Sequence, residues 1–139
     1  MTAVGISYES YSEARSHYKT MLDAAERGLP ATVERDGAVS ALVDAERLRD
    51  GLGQWCPKAT VVNEAGGWSV FLPGVPVAAD GSTFDESITE MVDALREYAD
   101  DWQTHLLDAP NHRSNWALVQ LVALSTDEQL RAWLVGSAA

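Results

Sequence analysis

From Phe84 to about His105 the apolar side chains fall on one continuous helical stripe: Phe84, Ile88, Met91, Val92, Leu95, Tyr98, Ala99 and Trp102. Thr83 and Glu86 supply a capping box at its start, the hydroxyl and the carboxylate each positioned to take up a free N–H of the first turn. No other segment restricts the fold as strongly. The chain must be built around a long amphipathic helix that buries one side and wets the other.

The segments flanking that helix predict the rest of a second unit over residues 54–139. Thr60 to Glu64 and Trp68 to Leu72 read as strands of a hairpin around Gly66-Gly67, and Pro73-Gly74-Val75-Pro76 ends the second of them or confines it to an edge. Asp108 to Asn115 reads as loop. Trp116 to Leu124 is almost wholly apolar and reads as a strand buried on both faces. Ser125 with Glu128 caps a last short helix carrying Leu130, Trp133 and Leu134, giving the order β-β-α-β-α.

Residues 1–53 read as a separate unit of order β-α-β-β-α. A short alternating strand spans residues 4–9, and Ser10 with Glu13 then caps a helix whose apolar face is Tyr11, Ala14, Tyr18, Met21, Leu22 and Ala25. Gly28 and Pro30 stop it. Ala31 to Arg35 and Ala38 to Val43 flank Asp36-Gly37, a dipeptide that tolerates the positive φ angles of a tight turn. Asp44 caps a short helix through Leu48, and Gly51 to Pro57 reads as a linker bearing Trp55. The fold class is α+β. A unit this small buries too little apolar surface to be robust alone, so an obligate homodimer is expected.

With 46% hydrophobic and 22% charged residues, the composition is that of an ordinary globular chain. One cysteine, Cys56, excludes an internal disulfide and fits a reducing, cytoplasmic location. No apolar run is long enough for a membrane span, and the first residues lack a secretion signal. The net charge of −11 argues against nucleic acid until it is divided. Residues 1–53 carry six Lys/Arg against nine Asp/Glu, and residues 54–139 carry four against twelve, so the acid is concentrated in the second unit.

Catalysis finds no support. There is no nucleophile elbow, phosphate-binding glycine loop or HExxH pattern, and the Asp93–Glu97 carboxylate pair sits on the outer face of a helix. His105, Asp108 and His112 carry metal-donor atoms, but their spacing around Pro110 matches no metal site. No enzyme activity, cofactor or metal is expected.

Residues 5–50 resemble the prevent-host-death (Phd/YefM) antitoxin family. The similarity runs through Tyr11-Ser12-Glu13-Ala14-Arg15, Met21-Leu22-Asp23, Glu26-Arg27-Gly28, Ala31 to Gly37 and Ala38 to Val43. The resemblance implies a unit that dimerises through its sheet and brings its first helix and neighbouring turns to operator DNA. By position it assigns Arg15 and Arg35 to the DNA, with Asp36 standing where family members often have a second basic residue. Residues 60–104 are similar to a partial HicB-like fold, through Gly67 to Pro76 and Asp80 to Ser87 followed by the long helix. Together the two imply an antitoxin of a type II toxin–antitoxin system, which neutralises a cognate toxin and represses its own operon as a dimer. A stand-alone transcriptional regulator of the same build is the alternative.

The DNA-facing residues expected on this basis are Ser12, Arg15, Lys19 and Arg35; a solvated helix face with Glu13 and Asp23 as ion partners is the plainer account of the first three. For a toxin, expected to be small and basic, the acidic residues Asp93, Glu97, Asp100 and Asp101 offer charge attraction and Trp55 offers an apolar anchor. The same acids also suit an ordinary soluble surface. The remaining tryptophans are expected in the core.

Overall fold

The computed structural model describes residues 5–138 and divides into two compact units, Met1–Leu48 and Arg49–Ala139. Val4, which opens the first expected strand, lies outside the described residues. The protein is mixed α+β, with one three-stranded sheet in each unit.

In the first unit β1 (Ile6–Tyr8) leads into α1 (Tyr11–Ser16) and α2 (Tyr18–Glu26), followed by β2 (Ala31–Arg35) and β3 (Ala38–Leu42). β1 pairs parallel with β2, and β2 pairs antiparallel with β3. The Asp36-Gly37 turn has φ of 50° and 83°, the two positive values that the hairpin requires. The single helix expected over residues 10–27 is instead two helices broken at His17. There the ring Nδ1 lies 2.9 Å from the Glu13 carbonyl, while the His17 N–H turns to Ala14. The ring thus occupies an acceptor that the next helical turn needs, and it stacks on Tyr8 at 5.1 Å. α2 closes as expected at Gly28, with N–H bonds from Gly28 to the Ala25 carbonyl and from Leu29 to the Ala24 carbonyl.

The buried cluster of this unit is Tyr8, Ala14, Met21, Ala24 and Ala31, with Ile6, Leu29, Val33 and Leu42 packed against it. The break changes which side chains it contains. Tyr11, Tyr18 and Leu22, expected in the core stripe, are exposed.

α3 (Ala45–Trp55) starts at Asp44, whose carboxylate accepts from the Arg47 N–H at 3.0 Å. It runs seven residues beyond its expected end at Leu48 and takes up most of the expected linker. The reason is Leu52: it is buried and makes this turn part of a packed face, which outweighs the helix cost of Gly51 and Gly53. The two units consequently divide after Leu48 and not after Gly53.

The second unit holds β4 (Thr60–Glu64), β5 (Gly67–Phe71) and β6 (Ala78–Gly81) in an antiparallel sheet of that order. Ala65 and Gly66 form the first turn at φ of 53° and 77°, one residue earlier than the expected Gly66-Gly67. β6 was not anticipated, because Ala-Ala-Asp-Gly has no strand preference of its own and takes its geometry from pairing with Trp68–Phe71. α4 (Phe84–Asp101) lies against β5 and β6, capped by Thr83 as expected, and continues as a π-helical turn over Trp102–Leu106.

The apolar run Trp116–Leu124 is helix α5, contrary to the buried strand expected. Periodicity cannot distinguish the two for so short a run. Here Leu118, Val119, Leu121 and Val122 are buried in a helical layer with α4, and none of them pairs in either sheet among the described residues. α6 (Asp127–Ala138) is capped by Thr126 and Gln129, which exchange N–H bonds at 3.1 and 2.8 Å, one residue after the expected Ser125 and Glu128. Ser125 is buried and donates to the Leu121 carbonyl. The unit therefore runs β-β-β-α-α-α, not β-β-α-β-α.

Arg96 ties the helical layer together. Its guanidinium donates to the Val122 carbonyl at 2.6 Å, to the Ser125 carbonyl at 2.7 Å and to the Asp127 carboxylate at 2.8 and 3.0 Å, joining α4 to the end of α5 and the start of α6. Arg131 likewise reaches back to Asp85 and Thr89. Leu52 and Cys56 are buried too, and Trp133 Nε1 on α6 donates to the Gly53 carbonyl on α3 at 2.9 Å.

Candidate functional site

In the first unit, Ser12 and Arg15 sit on α1, exposed, with the Ser12 carbonyl accepting from Ser16 Oγ at 3.1 Å. Arg15 makes no ion pair among the described residues, and neither does Arg35 at the end of β2. Lys19 differs: its Nζ lies 2.9 Å from Asp23 Oδ2 on α2. The Asp23 carboxylate, through that hydrogen bond first and its charge second, holds the Lys19 ammonium above its ordinary pKa of 10.5. Of the four residues expected at DNA, Arg15 and Arg35 thus present free cationic charge, and Lys19 a locally neutralised one.

Tyr11, at the start of α1, lines a hollow of about 230 Å³ together with Val33, Arg35, Ala38 and Ser40. The start of the first helix and the hairpin arginine therefore share a surface. The unit also exposes apolar side chains on both sides of its sheet: Tyr11 at 57%, Tyr18 at 56% and Leu22 on the helices, and Val39 at 68% on the face away from the buried cluster. Sequence reasoning missed this exposure because it assigned Tyr11, Tyr18 and Leu22 to the core. The thinness of that core was the available signal.

In the second unit, Glu97, Asp100 and Asp101 line one open hollow of about 540 Å³, with a partly apolar floor of Pro76, Val77, Ala94 and Tyr98. His105 Nδ1 lies 3.0 Å from Asp101 Oδ1 at its rim. Asp93 lies elsewhere, beside Arg131, Asp127 and Val92, so the four acids expected to act together are split between two hollows. Trp55 ends α3 at 75% exposure, where a linker side chain was expected, and its ring lies back over Gly51. Trp116 is likewise half-exposed and not a core residue. Tyr98 accepts from Asn115 Nδ2 at 2.8 Å and meets His112 Nδ1 at 2.9 Å, while Trp102 Nε1 donates to the His112 carbonyl at 2.9 Å. His112 thus anchors the loop before α5.

No group of three or more His, Cys, Asp or Glu side chains is placed to hold a metal ion among the described residues, and none of their helices is long and apolar enough to cross a membrane. A family described as antitoxin of toxin-antitoxin, RelE / RelB, TA system, and named PHD_like, matches residues 6–135. The chain belongs to this antitoxin family. The antitoxin also has a solved structural counterpart, a crystal structure from Syntrophomonas wolfei subsp. wolfei described as the antitoxin part of a candidate toxin/antitoxin system. The two superpose with a TM-score of 0.75 over 91% of this chain and 94% of that one at 22% identity, which establishes a shared fold across both units. No curated protein matches in sequence.

Proposed function

We propose that this antitoxin works as a homodimer in the cytoplasm, represses its own operon by binding operator DNA through the first unit, and neutralises a small basic toxin through the second. The observation that carries the reading is the apolar surface the first unit leaves exposed, with Tyr11, Tyr18 and Leu22 on its helices and Val39 on the sheet face away from its buried cluster of Tyr8, Ala14, Met21, Ala24 and Ala31. A single-copy unit would leave both apolar faces in water, whereas a second copy paired on one of them removes that face from solvent. Arg15 and Arg35 then occur twice, related by a two-fold axis, as a palindromic operator requires. The arrangement supports a Phd/YefM-like first unit. The β4–β5 hairpin, β6 and the long α4 support a HicB-like second one.

Toxin binding is assigned to the second unit on charge and exposure. Glu97, Asp100 and Asp101 face one hollow and attract a cationic surface, while Trp55 offers a large apolar side chain that is mostly exposed. Affinity capture of the tagged protein from its host, followed by mass spectrometry, tests the pairing. The expected result is a small basic protein at equal stoichiometry, with promoter DNA retained by the wild type and lost by Arg15→Ala. Promoter DNA without any protein partner would leave a stand-alone regulator and remove the toxin from the proposal.

A further inference from the structure

The second sheet has an edge strand, β4, with unpaired backbone groups. β5 covers one side of β4, and the hairpin fixes which backbone groups are left over. Glu64 and Gly67 close the Ala65-Gly66 turn, so Glu64, Val62 and Thr60 direct their N–H and C=O groups toward β5, and those of Val61 and Asn63 point away from it. No backbone partner takes them up among the described residues. Natural edge strands are protected by proline, a bulge, inward charge, a strand lysine or a covering helix; Thr60–Glu64 has none of the first four, and α6, which touches β4, makes no backbone bond to it among the described residues. The opposite edge, β6, is shorter, follows Pro76 and carries Asp80.

Two exposed charges bracket β4: Lys58 just before it and Glu64 at its end. Neither forms an ion pair among the described residues. We infer that β4 pairs antiparallel with β4 of a second copy, centred on Val61, to form a continuous six-stranded sheet. In that register each Val61 opposes the partner's Val61 in a hydrogen-bonded pair, and Thr60 opposes the partner's Val62. Lys58 opposes the partner's Glu64 on both sides of the axis, in the non-hydrogen-bonded positions where opposed side chains come closest. Centring on Val62 would use the same backbone groups but set Lys58 against the partner's Gly66 and Glu64 against its Thr60. The charges therefore choose between the two registers.

The seam also continues an apolar strip. Val61 pairs with the fully buried Val70, so Thr60, Val62 and the exposed Phe71 occupy the sheet face away from α4. Pairing sets the strips of two copies side by side. This interface is distinct from the apolar surface of the first unit, and its test does not depend on that surface.

Full-length Lys58→Cys and Glu64→Cys proteins, carrying different tags, are co-expressed and mildly oxidised. The expected product is a disulfide joining the two tags. Either variant alone should give a tenth as much or less, because its cysteines stand roughly 20 Å apart in this register. In sedimentation at low salt, Lys58→Glu is expected to weaken self-association about tenfold, and Lys58→Glu with Glu64→Lys to restore it. Equal cross-linking in the single and mixed preparations, or a double variant no better than Lys58→Glu, would overturn the inference.

Discussion

Lys19 Nζ lies 2.9 Å from Asp23 Oδ2, one turn further along α2, while Arg15 on α1 has no such partner among the described residues. The ammonium remains largely solvent-exposed, so the pair contributes little to stability, but the carboxylate weakens the field that Lys19 offers to a phosphate. On the proposed DNA-binding role, Arg15→Ala is expected to reduce the slope of log affinity against log salt by about 1 per subunit. Lys19→Ala should do less. Asp23→Ala should raise affinity by releasing the lysine, and salt titrations of operator binding check all three.

Arg96 makes four donor contacts to Val122, Ser125 and Asp127, and two of these are to carbonyls at the end of α5. Removing it leaves those carbonyls without their charged donor. Arg96→Ala is expected to cost about 2–3 kcal/mol in chemical denaturation with an unchanged m value. Arg96→Lys should recover under half of that, since an ammonium cannot span three acceptors with the geometry of a guanidinium fork.

Gly81 and Gly66 separate two reasons for a glycine. A Cβ at Gly81 would overlap the Ser87 backbone N and come within 2.8 Å of its Cα, where β6 turns into α4 and nothing flexible can yield. Gly66 has a φ of 77° but open space around it. Gly81→Ala is therefore expected to cost about 3 kcal/mol or more, and Gly66→Ala about 1–2 kcal/mol, in thermal or urea unfolding. Equal costs would contradict the close approach at Gly81.

Burial pushes the Cys56 thiol above its ordinary pKa of 9.0. Because the folded value is the higher one, its contribution to stability is fully present below about pH 9 and lost as pH rises above it, where the unfolded chain gives up the proton first. The unfolding midpoint is expected to fall as pH rises above about 9, by an amount that Cys56→Ser removes. Thiol reagents at neutral pH should react with it only as fast as the second unit opens.

Local chemistry was legible in the sequence. Ser10 and Thr83 cap the helices they were expected to cap, at 3.2 and 3.1 Å, Asp36-Gly37 makes the first hairpin turn, and Gly28 ends α2. Each involves groups within a few residues of one another, so sequence spacing alone sets their geometry. The amphipathic stripe of α4 was equally plain, because eight periodic positions reinforce one another.

What failed depended on distant partners. Trp116–Leu124 is apolar enough for either a buried strand or a buried helix, and only its position against α4 selects the helix. β6 exists because β5 is beside it, and α3 runs on to Trp55 because Leu52 finds a core. The site shows the same division. The sequence by itself determined which residues carry the charge and the large apolar side chains, because composition and spacing are its own properties. The tertiary structure decided that Tyr11, Tyr18 and Trp55 are exposed, that Asp23 occupies Lys19, and that Asp93 stands apart from Glu97, Asp100 and Asp101. Exposure and pairing are set by what else is nearby, and folding, not sequence order, brings those neighbours together.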